Sequence, residues 1–222
     1  MGQRRARQIH EKEARRQDIL AAARQVWDEV PYPALSMALV ARRAELAKGT
    51  LYIYFKTKEE LFLALAEEEL LGWFEDLDEA LGRLEGYPAP GQLAALLKGT
   101  FQSRPRLTGL LAILPTALEH NVEHLTALLF NQFFSTRILR SGRLLERHLP
   151  FIQEGQGAKV VLRIVALAMG LGQLSHRAPV VGRILDAPGL QIFRVDFLQE
   201  LEGTLHDLFE GLAIMPRPGS EG

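Results

Sequence analysis

The stretch SMALVARRAELAKGTLYIYFKTKEEL, Ser36 to Leu61, holds two helix-length segments around a three-residue break. Ser36 is a good N-cap, because its hydroxyl can accept from a backbone N–H of the first turn. Met37, Val40, Ala41 and Ala44 follow at i, i+3, i+4 and i+7, the spacing of one buried helical stripe, with Arg42 and Arg43 off it. Glu45-Leu46-Ala47 is a turn. In the next helix Leu51 and Phe55 share one face, Gly49 and Ile53 point the opposite way, and Thr50 and Tyr52 flank them. Thr57 can cap a further helix that opens Lys58-Glu59-Glu60, where acids suit the positive end of the dipole.

Helix, short turn and helix predict a helix-turn-helix, whose second helix lies in a DNA major groove while the first braces it. Such turns usually favour Gly, so the residue types carry more weight than the spacing. The phenols of Tyr52 and Tyr54 can bond phosphate oxygens, and Lys48 and Lys58 can meet phosphates as point charges. Gly49 lets the backbone approach the groove floor. Thr50 can bond a base edge, and Ile53 suits a thymine methyl. Ser36, at the start of the bracing helix, completes the candidate DNA-binding set.

Working outward, residues 1–16 are Arg-rich without an apolar period and read as a mobile basic arm. Its Arg4-Arg5-Arg7 cluster can reach a minor groove or remain a solvated tail. Ile19, Leu20, Ala23, Val26, Trp27 and Val30 predict a first helix that Pro31 and Pro33 stop. Residues 1–58 carry 12 Lys/Arg against 6 Asp/Glu, a balance of +6, whereas 59–222 carry 14 against 21, a balance of −7. A basic quarter on an acidic body implies that the N-terminal part meets an anion.

The whole chain has 222 residues, 47% apolar content and no Cys. It holds 39 Leu against 10 Val and 10 Ile, which tilts the fold to all-α. No thiol chemistry or disulfide frame is available, compatible with the cytoplasm. No signal peptide is visible. The apolar run Ile164–Gly172 is too short to span a bilayer, which needs roughly 20 residues, so no membrane role is expected.

The fourth helix keeps phase through Leu70, Trp73, Phe74, Leu77, Leu81 and Leu84 to Gly86. Further helices are expected over 91–103, 105–119 with a kink at Pro115, 121–148, 156–176 and 190–212. Residues 177–189 read as a connection and 213–222 as a disordered tail. Domains of 1–57 and 58–212 follow.

The pair His120 and His124 has metal-ligand spacing, but a helix boundary near Asn121 separates the two, so no metal is assigned. His10, His148 and His206 are isolated. No phosphate loop or nucleophile motif occurs, so no cofactor is expected and the chain does not read as an enzyme.

The residues Ser36, Val40, Ala41, Ala44, Lys48-Gly49-Thr50-Leu51-Tyr52, Tyr54-Phe55 and Lys58-Glu59-Glu60-Leu61 resemble the DNA-binding signature of the TetR/AcrR family of bacterial repressors. The match is dense over residues 15–65 and architectural elsewhere. The family often has Gly, a small apolar residue and Ser where this chain has Glu45, Leu46 and Ala47, and Gly where it has Pro31. The resemblance implies a ligand-responsive repressor that binds a palindromic DNA operator as a homodimer, held by the last two helices as a four-helix bundle. Two apolar stripes on the last helix agree with that, Phe193/Phe197/Leu201/Leu208 and Leu198/Leu205/Leu212.

The resemblance also implies a pocket between helices four and eight for a small lipophilic or flat aromatic inducer. Its candidates are Trp73, Phe74, Phe101, Leu110, Leu114, Leu118, Phe130, Phe133, Phe134 and Met169, with Gln173 and His176 as polar anchors. Aromatics at such spacing more often form core. The alternative function is a helical ligand-binding or interaction module of the same fold that no longer reads DNA specifically.

Overall fold

The computed structural model describes residues 2–119, 121–176 and 179–214, with the side chains of 2–5, 116–119 and 179–180 outside that description. The side chains of Arg4, Arg5 and Leu118, the residue His120 and the tail from 215 therefore lie outside the described residues. Ten α-helices and two short 3-10 turns make up the described chain, with no strand among the described residues.

One compact unit comprises the residues up to Glu68 together with Leu114–Leu128. It contains α1 (Gly2–Glu29), α2 (Met37–Arg43), α3 (Lys48–Tyr54) and the start of α4 (Lys58–Gly82). α1 packs on α2 and α2 on α3, and Ile19, Leu20, Ala23 and Val26 of α1, Met37, Val40 and Ala41 of α2, Leu51 of α3 and Phe55 are all buried. Trp27 and Tyr32 pack on Phe62 of α4, with ring centroids 5.4 and 5.0 Å away.

The basic arm is helical: from Gly2 it forms the first half of α1. An apolar stripe is not required where helix-forming side chains pair along one face. Arg7 donates to Glu11 at 2.8 Å and Gln17 to Glu13 at 3.2 Å, each four residues apart.

The second unit comprises Glu69–Ile113 and Leu129 onward. It holds the rest of α4, with α5 (Pro90–Gln102), α6 (Pro105–Glu119), α7 (His124–Glu146), α8 (Gln156–Ser175), α9 (Pro179–Ile184) and α10 (Phe197–Ile214), of which α6 and α7 also contribute to the first unit. Pro115 lies inside α6. α10 packs on α5 and α8 through Leu201, Leu205 and Phe209. At one crossing α7 and α8 touch backbone to backbone, and a Cβ on Gly157 would stand 2.2 Å from the Gly142 carbonyl. His148 binds the carbonyls of Leu81 and Gly86 at 2.9 Å each, which closes the end of α4.

Several expected boundaries shift. α4 ends at Gly82 rather than Gly86, and α7 covers less than 121–148. The connection after α8 contains α9. The last helix begins at Phe197 rather than 190, and Phe193 sits in a 3-10 turn before it. The signal for that start is Asp196, whose carboxylate accepts from the Gln199 N–H at 2.9 Å, as an N-cap does. The stripe that is buried is Leu201/Leu205/Phe209, which takes Leu201 from one expected stripe and Leu205 from the other, while Phe197, Leu198, Leu208 and Leu212 are half-buried and Phe193 is exposed. α8 has 20 residues and is long and apolar enough to cross a bilayer by length and composition. Here Val160, Val161, Ile164, Val165 and Ala168 on one face are buried in the helical unit.

Candidate nucleic-acid interface

The bracing helix is set by its cap. Ser36 Oγ accepts from the Leu39 N–H at 3.3 Å, with the Ser36 backbone extended. Arg43 holds α2 to α1 through Glu29 and Gln25, and this contact lowers the Glu29 pKa and raises that of Arg43. The helix then ends in a Schellman turn. The Leu46 N–H donates to the Ala41 carbonyl at 2.9 Å and the Glu45 N–H to the Arg42 carbonyl at 3.2 Å.

Glu45 occupies the left-handed position of this turn, with φ of 55°. A side chain there costs about 1–2 kcal/mol, which is why glycine is common at such positions. Glu45→Gly is therefore expected to raise unfolding free energy by about 0.5–1 kcal/mol after the added chain entropy is subtracted. A denaturant titration showing no gain would mean that the Glu45 side chain stabilises the turn in some other way.

Ala47 precedes α3 without a side-chain cap, as its sequence implies. Leu51 and Phe55 anchor α3 in the core. The opposite face is left outside. Ile53 is 73% exposed and Tyr52 41% exposed, Lys48 and Gly49 are exposed, and Thr50 and Tyr54 are half-buried. A Cβ at Gly49 would meet nothing within 4 Å. No packing within the chain demands glycine there, whereas close approach of an outside surface would. Lys48 lies 5.8 Å over the Tyr52 ring.

The other two lysines of the stretch are engaged within the unit. Lys58 Nζ lies 4.1 Å over the Tyr32 ring and donates to the Tyr32 carbonyl at 3.4 Å. Burial pushes the Tyr32 phenol up to about 12, with Glu59 adding to it, so it is neutral at pH 7. Lys56 pairs with Glu123, which raises the lysine pKa. Thr57 accepts from the Glu60 N–H at 3.0 Å and donates to the Asn121 carbonyl at 2.9 Å. Of the two candidate cations, Lys48 is exposed, whereas Lys58 is half-buried and held at Tyr32.

The inducer candidates of the second unit are mostly packed on one another. Trp73 lies 4.8 Å from Phe74 and 4.9 Å from Phe101, and its indole N–H donates to Thr100 at 3.0 Å. Phe134 lies 6.0 Å from both Phe74 and Phe130, and Phe133 is 6.2 Å from Phe130. Leu110 is buried and Met169 half-buried. Gln173 and His176 are exposed at the end of α8, where Gln173 donates to the Ala112 carbonyl at 3.2 Å and His176 Nδ1 lies 3.1 Å from the Gly172 carbonyl. Leu114 is buried in the first unit.

Comparison with known proteins bears on both units. Residues 19–65 match the family described as bacterial regulatory proteins, tetR family, and residues 67–215 match the tetracyclin repressor-like C-terminal domain. The chain is 40% identical over 67 residues to YhgD of Bacillus subtilis (strain 168), described as an uncharacterized HTH-type transcriptional regulator, covering 30% of this chain and 35% of the relative. It is 32% identical over 71 residues to the fatty acid metabolism regulator protein of the same organism, covering 32% of this chain and 37% of the relative. The chain thus matches little more than a third of the length of these curated relatives. Its fold is similar to that of the transcriptional regulator FadR from Bacillus subtilis, solved in complex with stearoyl-CoA, with a TM-score of 0.52 at 20% identity over 90% of this chain and 99% of that one. With an N-terminal helix-turn-helix and a C-terminal helical domain that are both matched, the chain belongs to the tetR family of bacterial regulatory proteins.

Proposed function

We propose that this regulator is a cytoplasmic, ligand-responsive repressor that binds an inverted-repeat operator as a homodimer. The observation that carries the DNA reading is α3: Leu51 is buried while Gly49, Tyr52 and Ile53 on its other faces are exposed, and a Cβ at Gly49 would meet nothing within 4 Å. Each protomer places α3 in a major groove, with half-sites about one helical turn, roughly 34 Å, apart or a little more.

Dimerisation through α8 and α10 is supported by surface left apolar after the unit has packed. On α8, Leu162, Ala166, Gly170 and Leu174 are exposed at four-residue spacing. On α10, Leu198, Leu208 and Leu212 are half-buried. A second copy would cover both strips with like surface.

The ligand is lipophilic or a flat aromatic, because the ring cluster around Trp73 would part to an apolar wall. The stearoyl-CoA held by the Bacillus subtilis FadR makes that thioester the first lipophile to test. Release of DNA requires that the ligand bind the DNA-free state more tightly than the DNA-bound one.

Selection from random duplexes at near-physiological salt tests the reading. An enriched inverted repeat is expected. No enrichment by a folded dimer, before and after refolding without ligand, would instead favour a module of this fold that has lost DNA reading. Two variants then assign roles. Thr50→Ala is expected to change preference at one base pair, whereas Tyr52→Ala weakens binding to all sequences and flattens the salt dependence slightly. An unchanged selected sequence for Thr50→Ala would remove that residue from the base contacts.

A further inference from the structure

The extension of α1 does more than lengthen a helix. A cavity of about 490 Å³ lies between it and α3, lined by Ile9, Lys12, Glu13 and Arg16 on α1 and by Ile53 and Tyr54 on α3. The four α1 positions are spaced i, i+3, i+4 and i+7, so a single helix face is turned to the recognition helix. All four precede residue 19, where the match to the helix-turn-helix family begins.

The chemistry of the lining is mixed in a specific way. Ile9 is 63% exposed, an apolar side chain on an otherwise polar stretch. Lys12 makes no ion pair or hydrogen bond among the described residues. Arg16 lies 5.4 Å over the Phe55 ring and has Glu13 at 3.8 Å. Glu13, the one acid lining the groove, accepts from Gln17 and pairs with Arg16, Glu67 also acts on Arg16, and neighbouring Glu11 is held by Arg7. The groove therefore sets the exposed apolar side chains of Ile9 and Ile53 beside Lys12, which is unpaired among the described residues, and Arg16, whose charge is shared with Glu13 and Glu67.

We infer that this groove seats the sugar–phosphate backbone of the operator strand bordering the major groove that α3 enters. Lys12 and Arg16 meet the phosphate oxygens, and Ile9 packs on a deoxyribose. The inference rests on the DNA reading of α3 and is continuous with it, because Ile53 belongs to both surfaces. It makes α1 a second DNA-contacting element that fixes how α3 lies in the groove while carrying no sequence preference of its own.

The test uses the full-length protein and the operator obtained by selection. Lys12→Ala is expected to weaken binding about tenfold at near-physiological salt and to reduce the slope of log affinity against log salt by roughly 0.9 per protomer bound, with the selected sequence unchanged. Ile9→Ala is expected to leave that slope alone and to expose one sugar per half-site to hydroxyl-radical cleavage. Both side chains are exposed, so thermal unfolding should match wild type. If wild type binds the operator while Lys12→Ala keeps its affinity and slope and Ile9→Ala keeps its cleavage pattern, the groove does not hold DNA and the α3 reading stands. If wild type selects no sequence, the α3 reading itself is overturned and this one with it.

Discussion

Ile53→Glu is expected to abolish operator binding while leaving the fold intact. The side chain is 73% exposed on α3, so no core contact is lost. Glutamate is also a better helix former than a β-branched residue, so α3 itself does not suffer. What changes is the partner. A carboxylate would stand where α3 meets a polyanion, and an apolar contact to a base edge would be replaced by a charge that must be desolvated. A loss of roughly 100-fold or more in affinity, about 2.7 kcal/mol, is expected. Fluorescence anisotropy with the selected duplex measures it, and circular dichroism checks the fold. Affinity within a factor of three of wild type would mean that Ile53 faces away from the DNA.

A comparably large effect, on stability rather than binding, is expected at the crossing of α7 and α8. A Cβ on Gly157 would stand 2.2 Å from the Gly142 carbonyl oxygen and 2.7 Å from Glu146, and one on Gly142 would stand 2.4 Å from the Ala158 nitrogen. The opposing atoms are mostly backbone, which cannot swing aside as a side chain can. Glu146 further ties the crossing by accepting from the Gly157 N–H at 2.7 Å. Alanine would gain roughly 0.5–1 kcal/mol from helix propensity. Forcing the helices apart costs about 1–3 kcal/mol or more, so the crossing decides the sign. Gly157→Ala and Gly142→Ala should each lower Tm by several degrees, and Gly157→Val by more. Gly99→Ala in α5 is the control, because a Cβ there meets nothing, and it should leave Tm unchanged or raise it. Equal behaviour of Gly99 and Gly157 variants in differential scanning fluorimetry would show that the two helices can separate without penalty.

The sequence by itself determined the elements of the DNA-binding unit. Ser36, the Met37/Val40/Ala41 stripe and the Leu51/Phe55 pair are local signals, since a cap and a helical period act within one or two turns. The outward placement of Gly49 and Ile53 follows from that same period once Leu51 is buried. Apolar spacing does not mark the first half of α1, because side-chain pairs such as Arg7 with Glu11 sustain that part of the helix.

Only the tertiary structure decided the rest. Whether Lys48, Lys56 or Lys58 faces outward depends on Tyr32 and Glu123, which lie 26 and 67 residues from their partners in sequence. The phase of α10 was set by α5 and α8, which select Leu201, Leu205 and Phe209 from several apolar candidates, while Gln199, Glu200, His206, Asp207 and Glu210 make up its exposed polar face. The roles of Gly142 and Gly157 appear only where two helices cross. A helical period specifies which residues share a face, and it is the neighbouring elements that fix which face is buried.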